Sequence, residues 1–331
     1  MEQLTDLKAI LHSKRANIYY LEKCRVMVKD GRVLYLTQEK HESKYWNIPI
    51  ANTTVILLST GTSITQAAVR MLASAGVLIG FSGNGGTPLI AGSEIEWISP
   101  QSEYRPTEYV QGWLSFWFDE KKRVDAAKQF QKSRLDYIEK VWANDRELQS
   151  YNFYVDDMDI SDALNINRKI EKASNISELL NIEAQLTKKL YKIAATKTKI
   201  GEFVRNHNAE SGLAGSAVDI ANAFLNHGNY LVYGLAATTL WVLGIPHGFA
   251  VMHGKTRRGA LVFDVADLVK DALVLPLAFI CAKEDVTEEQ FRERCLLQFT
   301  KHKALDFMFN VVKETANVVE EVGNAIPEVA K

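Results

Sequence analysis

The chain has 331 residues, of which 47% are hydrophobic and 10% aromatic, which is enough to build the cores of two globular domains. A formal net charge of -1 excludes a strong overall field toward nucleic acid or an acidic membrane, so any such contact must depend on local charge. The three cysteines lack CxxC spacing, and the N-terminus does not resemble a signal peptide. These features predict a reducing, cytoplasmic location without a disulfide framework or a zinc site.

The first hundred residues have the pattern of β-strands. Residues 24–37 alternate apolar and polar positions on both sides of Asp30-Gly31, a dipeptide that favours a two-residue hairpin turn. Two short apolar runs, at 53–60 and 76–82, are typical of buried strands. Between them, residues 63–75 carry apolar positions at helical spacing, which predicts one helix within a small β-rich domain.

The period of the pattern changes after a segment rich in Gly, Pro and Ser at 83–106, the best candidate for a domain boundary. Residues 113–142 and 304–322 both place apolar side chains at the spacing of amphipathic helices. The uncharged run 229–246 is short for a membrane span and predicts a buried helix. The sequence therefore predicts an α+β protein, with a β-rich domain at 1–100 and a larger all-helical domain at 101–331.

Two widespread kinds of active-site motif are absent. The segment GFSGNGG at 80–86 lacks the Gly-Lys-Ser/Thr of a phosphate loop and the spaced glycines of a dinucleotide fingerprint, which favours a plain turn. There is no GxSxG elbow, and no cysteine stands in a recognisable nucleophile motif. Nucleotide cradling and serine or cysteine catalysis are both disfavoured.

The stretch HGFAVMHGKTRRGALVFDVAD, residues 247–267, combines acids, histidines and basic side chains. Asp264 and Asp267 are three residues apart among apolar neighbours, so one face of a helix would carry both, and buried carboxylates need a cation. His253 precedes them, and an imidazole with hard carboxylate oxygens suits Mg²⁺ or Mn²⁺. Spacing alone favours a plainer structural role for the aspartate pair and a nearby buried histidine, with His247 in a turn.

Further candidates lie on a separate predicted helix. Glu183 lies beside the apolar face of that helix, where a lone glutamate is usually exposed to solvent. The segment 166–205 has nine Lys or Arg against four Glu. Basic side chains near these acids could bind DNA phosphates, form a solvated surface, or neutralise the aspartates. They are Lys188, Lys189, Lys192, Lys255, Arg257 and Arg258.

Several motifs occur in a characteristic order. Residues 183–191 read EAQLTKKLY, an Asn-rich helix with the sequence DIANAFLN follows at 219–226, and Leu-Gly-Ile occupies 243–245. His253 and FDVAD at 263–267 complete the series. Together they resemble the Cas1 family of CRISPR-associated integrases, most closely its type I-F branch. His227 is a departure, because many members have Tyr at that position.

The resemblance implies a reaction and its residues. Glu183, His253 and Asp267 would be ligands of Mg²⁺ or Mn²⁺, with Asp264 as a supporting acid among the catalytic residues. A DNA 3′-hydroxyl would attack a phosphodiester at the edge of a CRISPR repeat and insert prespacer DNA into the repeat array. The basic residues near the acids would hold the backbone of double-stranded DNA.

The resemblance also implies an assembly: a homodimer formed through the β-rich domain, a Cas2 partner fused to the Cas3 helicase-nuclease, and no membrane. Trp46 and residues 48–50 are apolar enough for the dimer interface, although core packing is favoured for them. Two alternatives stay open. One is a metal-dependent nuclease that cuts branched or single-stranded DNA with water as the nucleophile. The other is a non-enzymatic helical scaffold whose acids pair with Arg257 and Arg258.

Overall fold

The computed structural model describes residues 15, 17–39, 42–82, 96–98, 107–207, 215–254 and 259–317. The chain divides into two compact units, residues 1–104 with 210–212 and residues 105–209 with 213–331. The first is rich in strands and the second is mostly helical, so the predicted α+β class is confirmed.

The described strands of the N-terminal unit form two four-stranded sheets around one helix. The elements are β1 (Asn17–Leu21), β2 (Cys24–Lys29), β3 (Arg32–Glu39), β4 (Glu42–Asn47), β5 (Thr53–Leu58), β6 (Ser63–Ile64), α1 (Gln66–Ser74), β7 (Leu78–Phe81) and β8 (Glu96–Ile98). One sheet has the order β1-β5-β7-β8 and is parallel except for β8, and the other has the order β4-β3-β2-β6. Apolar residues of the two sheets and α1 share one buried cluster.

The predicted hairpin is confirmed. Asp30 and Gly31 have φ values of 50° and 71°, and Lys29 pairs with Arg32 across the turn. Positive φ at both positions is the geometry that Asp-Gly adopts at little steric cost. The apolar runs form β5 and β7, and β5 is buried along its whole length. Ile48, at 2% exposure, belongs to this core.

The helical unit comprises the elements that follow. They are α2 (Glu108–Trp117), α3 (Glu120–Asn144), α4 (Arg146–Ser150), α5 (Met158–Leu164), α6 (Asn167–Lys172), α7 (Ile176–Thr198), α8 (Ala217–Leu243), α9 (Ala260–Glu284), α10 (Glu288–Lys301) and α11 (Ala304–Asn317). The periodic stretch 113–142 is not one helix, because Asp119 ends the first and caps the second by accepting hydrogen bonds from the backbone N–H groups of Lys121 and Lys122. The uncharged run lies largely within α8, and no helix of the described residues is long and apolar enough to cross a membrane.

Helix α9 is the central element of this unit and packs against α3, α7, α8, α10 and α11. Pro276 lies inside α9 and has no N–H to donate to the carbonyl of Ala272, one turn earlier. The indole N–H of Trp142 on α3 donates to that carbonyl instead, at 3.0 Å. Gly228 lets α8 approach α9 closely, since a Cβ there would lie 2.4 Å from Cγ1 of Val274. The site described next is built on this helix.

Candidate metal centre and nucleic-acid interface

Three side chains from separate parts of the helical unit converge. Glu183 comes from α7, Asp267 from α9, and His253 from the segment before α9, and each offers a ligand atom within 4.8 Å of the others. His253 Nε2 lies 3.9 Å from Glu183 Oε2 and 4.0 Å from Asp267 Oδ2. Two ligands on opposite sides of a Mg²⁺ ion are up to about 4.2 Å apart, since each bond is about 2.1 Å long. The spacing is therefore compatible with a shared divalent cation.

Asp264 orients His253 but does not itself belong to the set of candidate ligands. Its Oδ1 lies 2.7 Å from His253 Nδ1, and because a carboxylate only accepts, Nδ1 carries the proton and Nε2 is left to face the two acids. The same carboxylate accepts the backbone N–H groups of Val251, Met252 and His253 at 2.7, 3.1 and 3.1 Å. Asp264 thus fixes both the ring and the backbone that carries it.

Burial and neighbouring charge perturb all three groups. Burial raises the pKa of Glu183, and the charge of Asp267 adds to this. Burial opposes the ionised form of Asp267 too, but Lys270 and His253 lower its pKa overall. For His253, burial disfavours the cation, yet the hydrogen bond to Asp264 and the charge of Asp267 raise its pKa to about 9. The cluster is one coupled electrostatic unit that attracts positive charge.

Two cations stand beside these acids, the buried Arg134 and the partly buried Lys270, and no spacing in the sequence indicates either of them. Arg134 on α3 has no exposed surface and donates to Glu183 Oε1 at 3.1 Å and to Asp271. Lys270 is in ion-pair contact with Asp267 Oδ1. Asp267 and Asp271 are four positions apart and therefore lie on one face of α9. This spacing is the feature of the sequence that links Asp271 to the site. Buried carboxylates require such partners.

The charges still leave a deficit of positive charge. Among the described residues, Asp264, Asp267, Asp271 and Glu183 are four carboxylates against the two cations that contact them, Arg134 and Lys270. Two negative charges remain when His253 is neutral, as a metal ligand must be, and one remains when it is protonated, the form that its pKa of about 9 favours at neutral pH. Asp267 Oδ2 accepts no hydrogen bond from the described residues although Asp267 is only 3% exposed. Imidazole nitrogen, hard oxygens and this uncompensated charge fit a divalent cation such as Mg²⁺ or Mn²⁺.

Two tryptophans of α2 anchor the segment that carries His253. The indole N–H of Trp113 donates to the carbonyl of Phe249 at 2.9 Å, and that of Trp117 donates to the carbonyl of Ala250 at 2.7 Å. The two tryptophans are four positions apart on α2, so they share one face of the helix. Sequence reasoning identified neither, although two tryptophans at this spacing in an amphipathic helix were a usable signal.

The other predicted residues occupy varied positions. Lys188, Lys189 and Lys192 are exposed on α7, whereas Lys255, Arg257 and Arg258 lie outside the described residues. His247 is partly buried, which lowers its pKa, and its carbonyl accepts the N–H of Leu261 in the first turn of α9. His227 is buried with Nδ1 2.8 Å from Glu288 Oε1. Neither histidine is part of the ligand set in the described structure.

The fold and the ligand set define a protein with a strand-rich unit and a helical unit that carries a carboxylate-histidine site suited to a divalent cation. The family model described as CRISPR associated protein Cas1 matches residues 18–305. The chain belongs to the Cas1 family, which confirms the resemblance predicted from the order of its motifs.

Two similar proteins of known name also belong to the Cas1 family. It is 56% identical over 317 residues to the CRISPR-associated endonuclease Cas1 of Pseudomonas aeruginosa strain UCBPP-PA14, covering 94% of this chain and 96% of the relative. It is 53% identical over 318 residues to the CRISPR-associated endonuclease Cas1 of Pectobacterium atrosepticum strain SCRI 1043, covering 95% and 96%.

Solved structures share the fold at low sequence identity. A TtCas1–DNA complex aligns with a TM-score of 0.63 and 19% identity, covering 90% of this chain and 91% of that one. A casposase bound to an integration product aligns with a TM-score of 0.68 and 14% identity, covering 92% and 91%. The two-unit architecture therefore persists where little sequence does.

Proposed function

We propose that the chain is a divalent-metal-dependent DNA integrase of CRISPR adaptation, which inserts prespacer DNA into a CRISPR repeat array. The observation that carries this proposal is the convergence of Glu183, His253 and Asp267 with Asp264 bonded behind the histidine. Membership of the Cas1 family and relatives named endonucleases support the same reaction class. The casposase with a similar fold is described on an integration product, which supports strand transfer as its form.

The chain's own residues have separate tasks in this proposal. Glu183, His253 and Asp267 would hold the cation, and Asp264 keeps the His253 proton on Nδ1 so that Nε2 is available as a ligand. A bound Mg²⁺ or Mn²⁺ supplies Lewis acidity to a phosphoryl oxygen and favours the ionised form of an attacking hydroxyl. In strand transfer a DNA 3′-oxygen forms a bond to phosphorus and a second 3′-oxygen leaves with a proton. No protein nucleophile is needed.

DNA would lie along basic side chains close to the site. The exposed Lys188, Lys189 and Lys192 belong to α7, the helix that carries Glu183. We assign them, with Lys255, Arg257 and Arg258, to contacts with the phosphate backbone, which give affinity without reading sequence. Each contact removed should reduce the slope of log affinity against log salt by about 0.9 for duplex DNA. Glutamine replacements at the three α7 positions, compared by salt titration, test this assignment.

The proposal includes an assembly. Identities of 53% and 56% to the two relatives support a close family position, which we place in the type I-F branch. In that branch the partner would be Cas2 fused to Cas3, in the cytoplasm. The β-rich unit would form the homodimer. Trp46, at 48% exposure, stays a candidate for that interface, whereas Ile48 is excluded because it is buried within its own unit.

Integration on a plasmid tests the function directly. The purified chain and its Cas2 partner are incubated with a labelled prespacer, a plasmid bearing a repeat array, and Mg²⁺ or Mn²⁺. Label joined to the plasmid is expected with the cation and is lost with a chelator, with His253→Ala, or with a prespacer that ends in a 3′-dideoxynucleotide. His302→Gln is the matched histidine control, since His302 bonds Asp145 rather than the ligand set. Normal integration by His253→Ala would refute the site.

The two other hypotheses give different outcomes in the same reaction. A nuclease with water as the nucleophile releases labelled fragments and joins nothing to the plasmid. Both relatives are named endonucleases, which supports testing for this second activity in the same reaction. A scaffold binds no Mn²⁺ in calorimetry, and Asp267→Asn then changes no activity. Within the part of the chain that the structure describes, Arg134 and Lys270 compensate the acids only in part, which favours a bound cation over the scaffold.

A further inference from the structure

Arg134 is a fully buried guanidinium that joins three helices behind the ligand set. Its Nη1 donates to Glu183 Oε1 at 3.1 Å, its Nη2 to Thr187 Oγ1 at 3.0 Å, and its Nε to Asp271 Oδ2 at 3.0 Å. Gln131 Oε1 lies 3.4 Å from Nη1. The guanidinium plane is therefore held from α3, α7 and α9 at once, and it has little freedom to turn.

The hydrogen bond to Arg134 gives the two carboxylate oxygens of Glu183 different partners. Oε1 is taken by the guanidinium, while Oε2 faces His253 Nε2 at 3.9 Å. Glu183 is 9% exposed, so water does not compete freely for either oxygen. We propose that Arg134 is a positioning residue that holds Oε1 of Glu183, so that this ligand offers a single oxygen, Oε2, to a divalent cation. Asp271 and Thr187 hold the guanidinium in turn. The inference rests on the proposed metal site.

Arginine suits this task because its donors lie in one rigid plane and reach three acceptors in fixed directions. A lysine at the same position would keep the charge and lose the fork. Arginine donors that support a ligating carboxylate belong to the outer shell of a metal site, whose loss typically costs about 10-fold to 100-fold in metal affinity. Without Arg134, the carboxylate of Glu183 would rotate within its pocket or bind a cation through both oxygens.

Geometry and simple charge predict opposite effects, which makes the role testable. A fixed positive charge close to a cation site repels the cation, so if Arg134 acted only through its charge, removing it would tighten metal binding. If Arg134 positions Glu183, removing it weakens binding. Replacing Asp271 together with Arg134 deletes one negative and one positive charge, which leaves the net charge around the ligands unchanged. It also avoids leaving Asp271, the more deeply buried of the two carboxylates that contact Arg134, without a partner, which is the costly outcome of breaking such a pair.

The experiment measures Mn²⁺ binding by electron paramagnetic resonance, which detects free Mn²⁺ and needs no DNA. The variants are the pair Arg134→Met with Asp271→Leu, and separately Arg134→Lys, with folding checked by circular dichroism. Tyr137→Phe is the matched control: it lies on α3, is buried, and loses a hydrogen bond of 3.0 Å to the carbonyl of His302. We expect both Arg134 variants to bind Mn²⁺ about 10-fold to 100-fold more weakly, and the control to bind as the parent chain does.

The outcomes separate this role from the proposed function. Binding by the paired variant at or above the affinity of the parent would overturn the positioning role while the metal site stands. Full affinity in Arg134→Lys would show that the planar fork of donors is not needed and would overturn the positioning role as well. Should the parent chain itself bind no Mn²⁺, the proposed function fails and this role fails with it. If the paired variant does not fold, Arg134→Lys, which keeps the charge opposite Asp271, decides the question.

Discussion

Asp264→Asn is the most informative single substitution, because it replaces one carboxylate oxygen by an amide nitrogen and each oxygen of Asp264 has known hydrogen-bond partners. Oδ2 accepts two backbone N–H groups, and Oδ1 accepts the N–H of His253 and faces its Nδ1. An asparagine can keep its oxygen on only one of these two sides. With the oxygen toward Val251 and Met252, the amide N–H₂ faces His253.

That orientation of the amide reverses the tautomer of His253. An amide donor satisfies Nδ1 only as an acceptor, so the ring proton moves to Nε2, and Nε2 no longer has a lone pair for a cation. Loss of such an orienting partner typically weakens metal binding about 10-fold to 100-fold. The N–H of His253 also loses its acceptor. A hydrogen bond to a charged group contributes about 1.5–3 kcal/mol, so the loss of this one should lower the free energy of unfolding by about that amount.

Mn²⁺ titration calorimetry and urea denaturation measure the two effects, and ¹⁵N NMR of the histidine ring reports the tautomer. Asp145→Asn is the control, because Asp145 is also buried, accepts the N–H groups of Glu147 and Leu148, and lies 2.7 Å from His302 Nε2. It should lose comparable stability and keep its affinity for Mn²⁺. If Asp264→Asn binds Mn²⁺ as tightly as that control, the orienting role assigned to Asp264 is wrong.

Three further predictions concern contacts around the ligand set and in the helical core. Burial opposes ionisation of Asp145, but Lys301 and His302 lower its pKa from 3.8 to about 2. Its ionised form therefore contributes about 2 kcal/mol above pH 4, lost as the pH falls toward 2. The gap in stability between the parent and Asp145→Asn, measured in urea, should close over that range, and a constant gap would contradict it. Trp117→Phe removes the donor to the Ala250 carbonyl and should lower stability by about 1 kcal/mol. It should also weaken Mn²⁺ binding in calorimetry, and unchanged binding would show that this anchor does not reach His253. Trp142→Phe leaves the Ala272 carbonyl without its donor, at a cost of about 1–3 kcal/mol in urea denaturation. The cost should shrink in a Pro276→Ala background, where the helix regains its own N–H, and additive costs would refute this explanation.

Local pattern was sufficient for the elements whose cause is local. The Asp30-Gly31 turn needs positive φ at both positions, and only a few residue types tolerate that, so the hairpin follows from two letters. Apolar periodicity likewise predicted α7, the helix that carries Glu183. Periodicity failed at Asp119, where a capping side chain ends one helix and begins another without interrupting the apolar pattern.

The ligand set was visible in the sequence only through the order of family motifs. Spacing alone favoured an exposed Glu183, whereas the structure buries it against Arg134. Nothing in the sequence near Glu183 specifies that partner, because the two residues lie on different helices. The orienting contact of Asp264 to His253 is shorter in range, and there the sequence placed both residues within one stretch.

The sequence by itself determined the two-part architecture, the main helices and strands, and the identity of the acids and the histidine. Side-chain period and turn chemistry are properties of neighbouring residues, and motif order is read along the chain, so none of them requires a tertiary contact. Tertiary structure alone decided which oxygen of Glu183 faces His253, which cations neutralise the acids, and that Trp142 supplies the donor missing at Pro276. Such pairings are made across helices, since a buried charge or carbonyl must find its partner wherever packing brings one within hydrogen-bond reach.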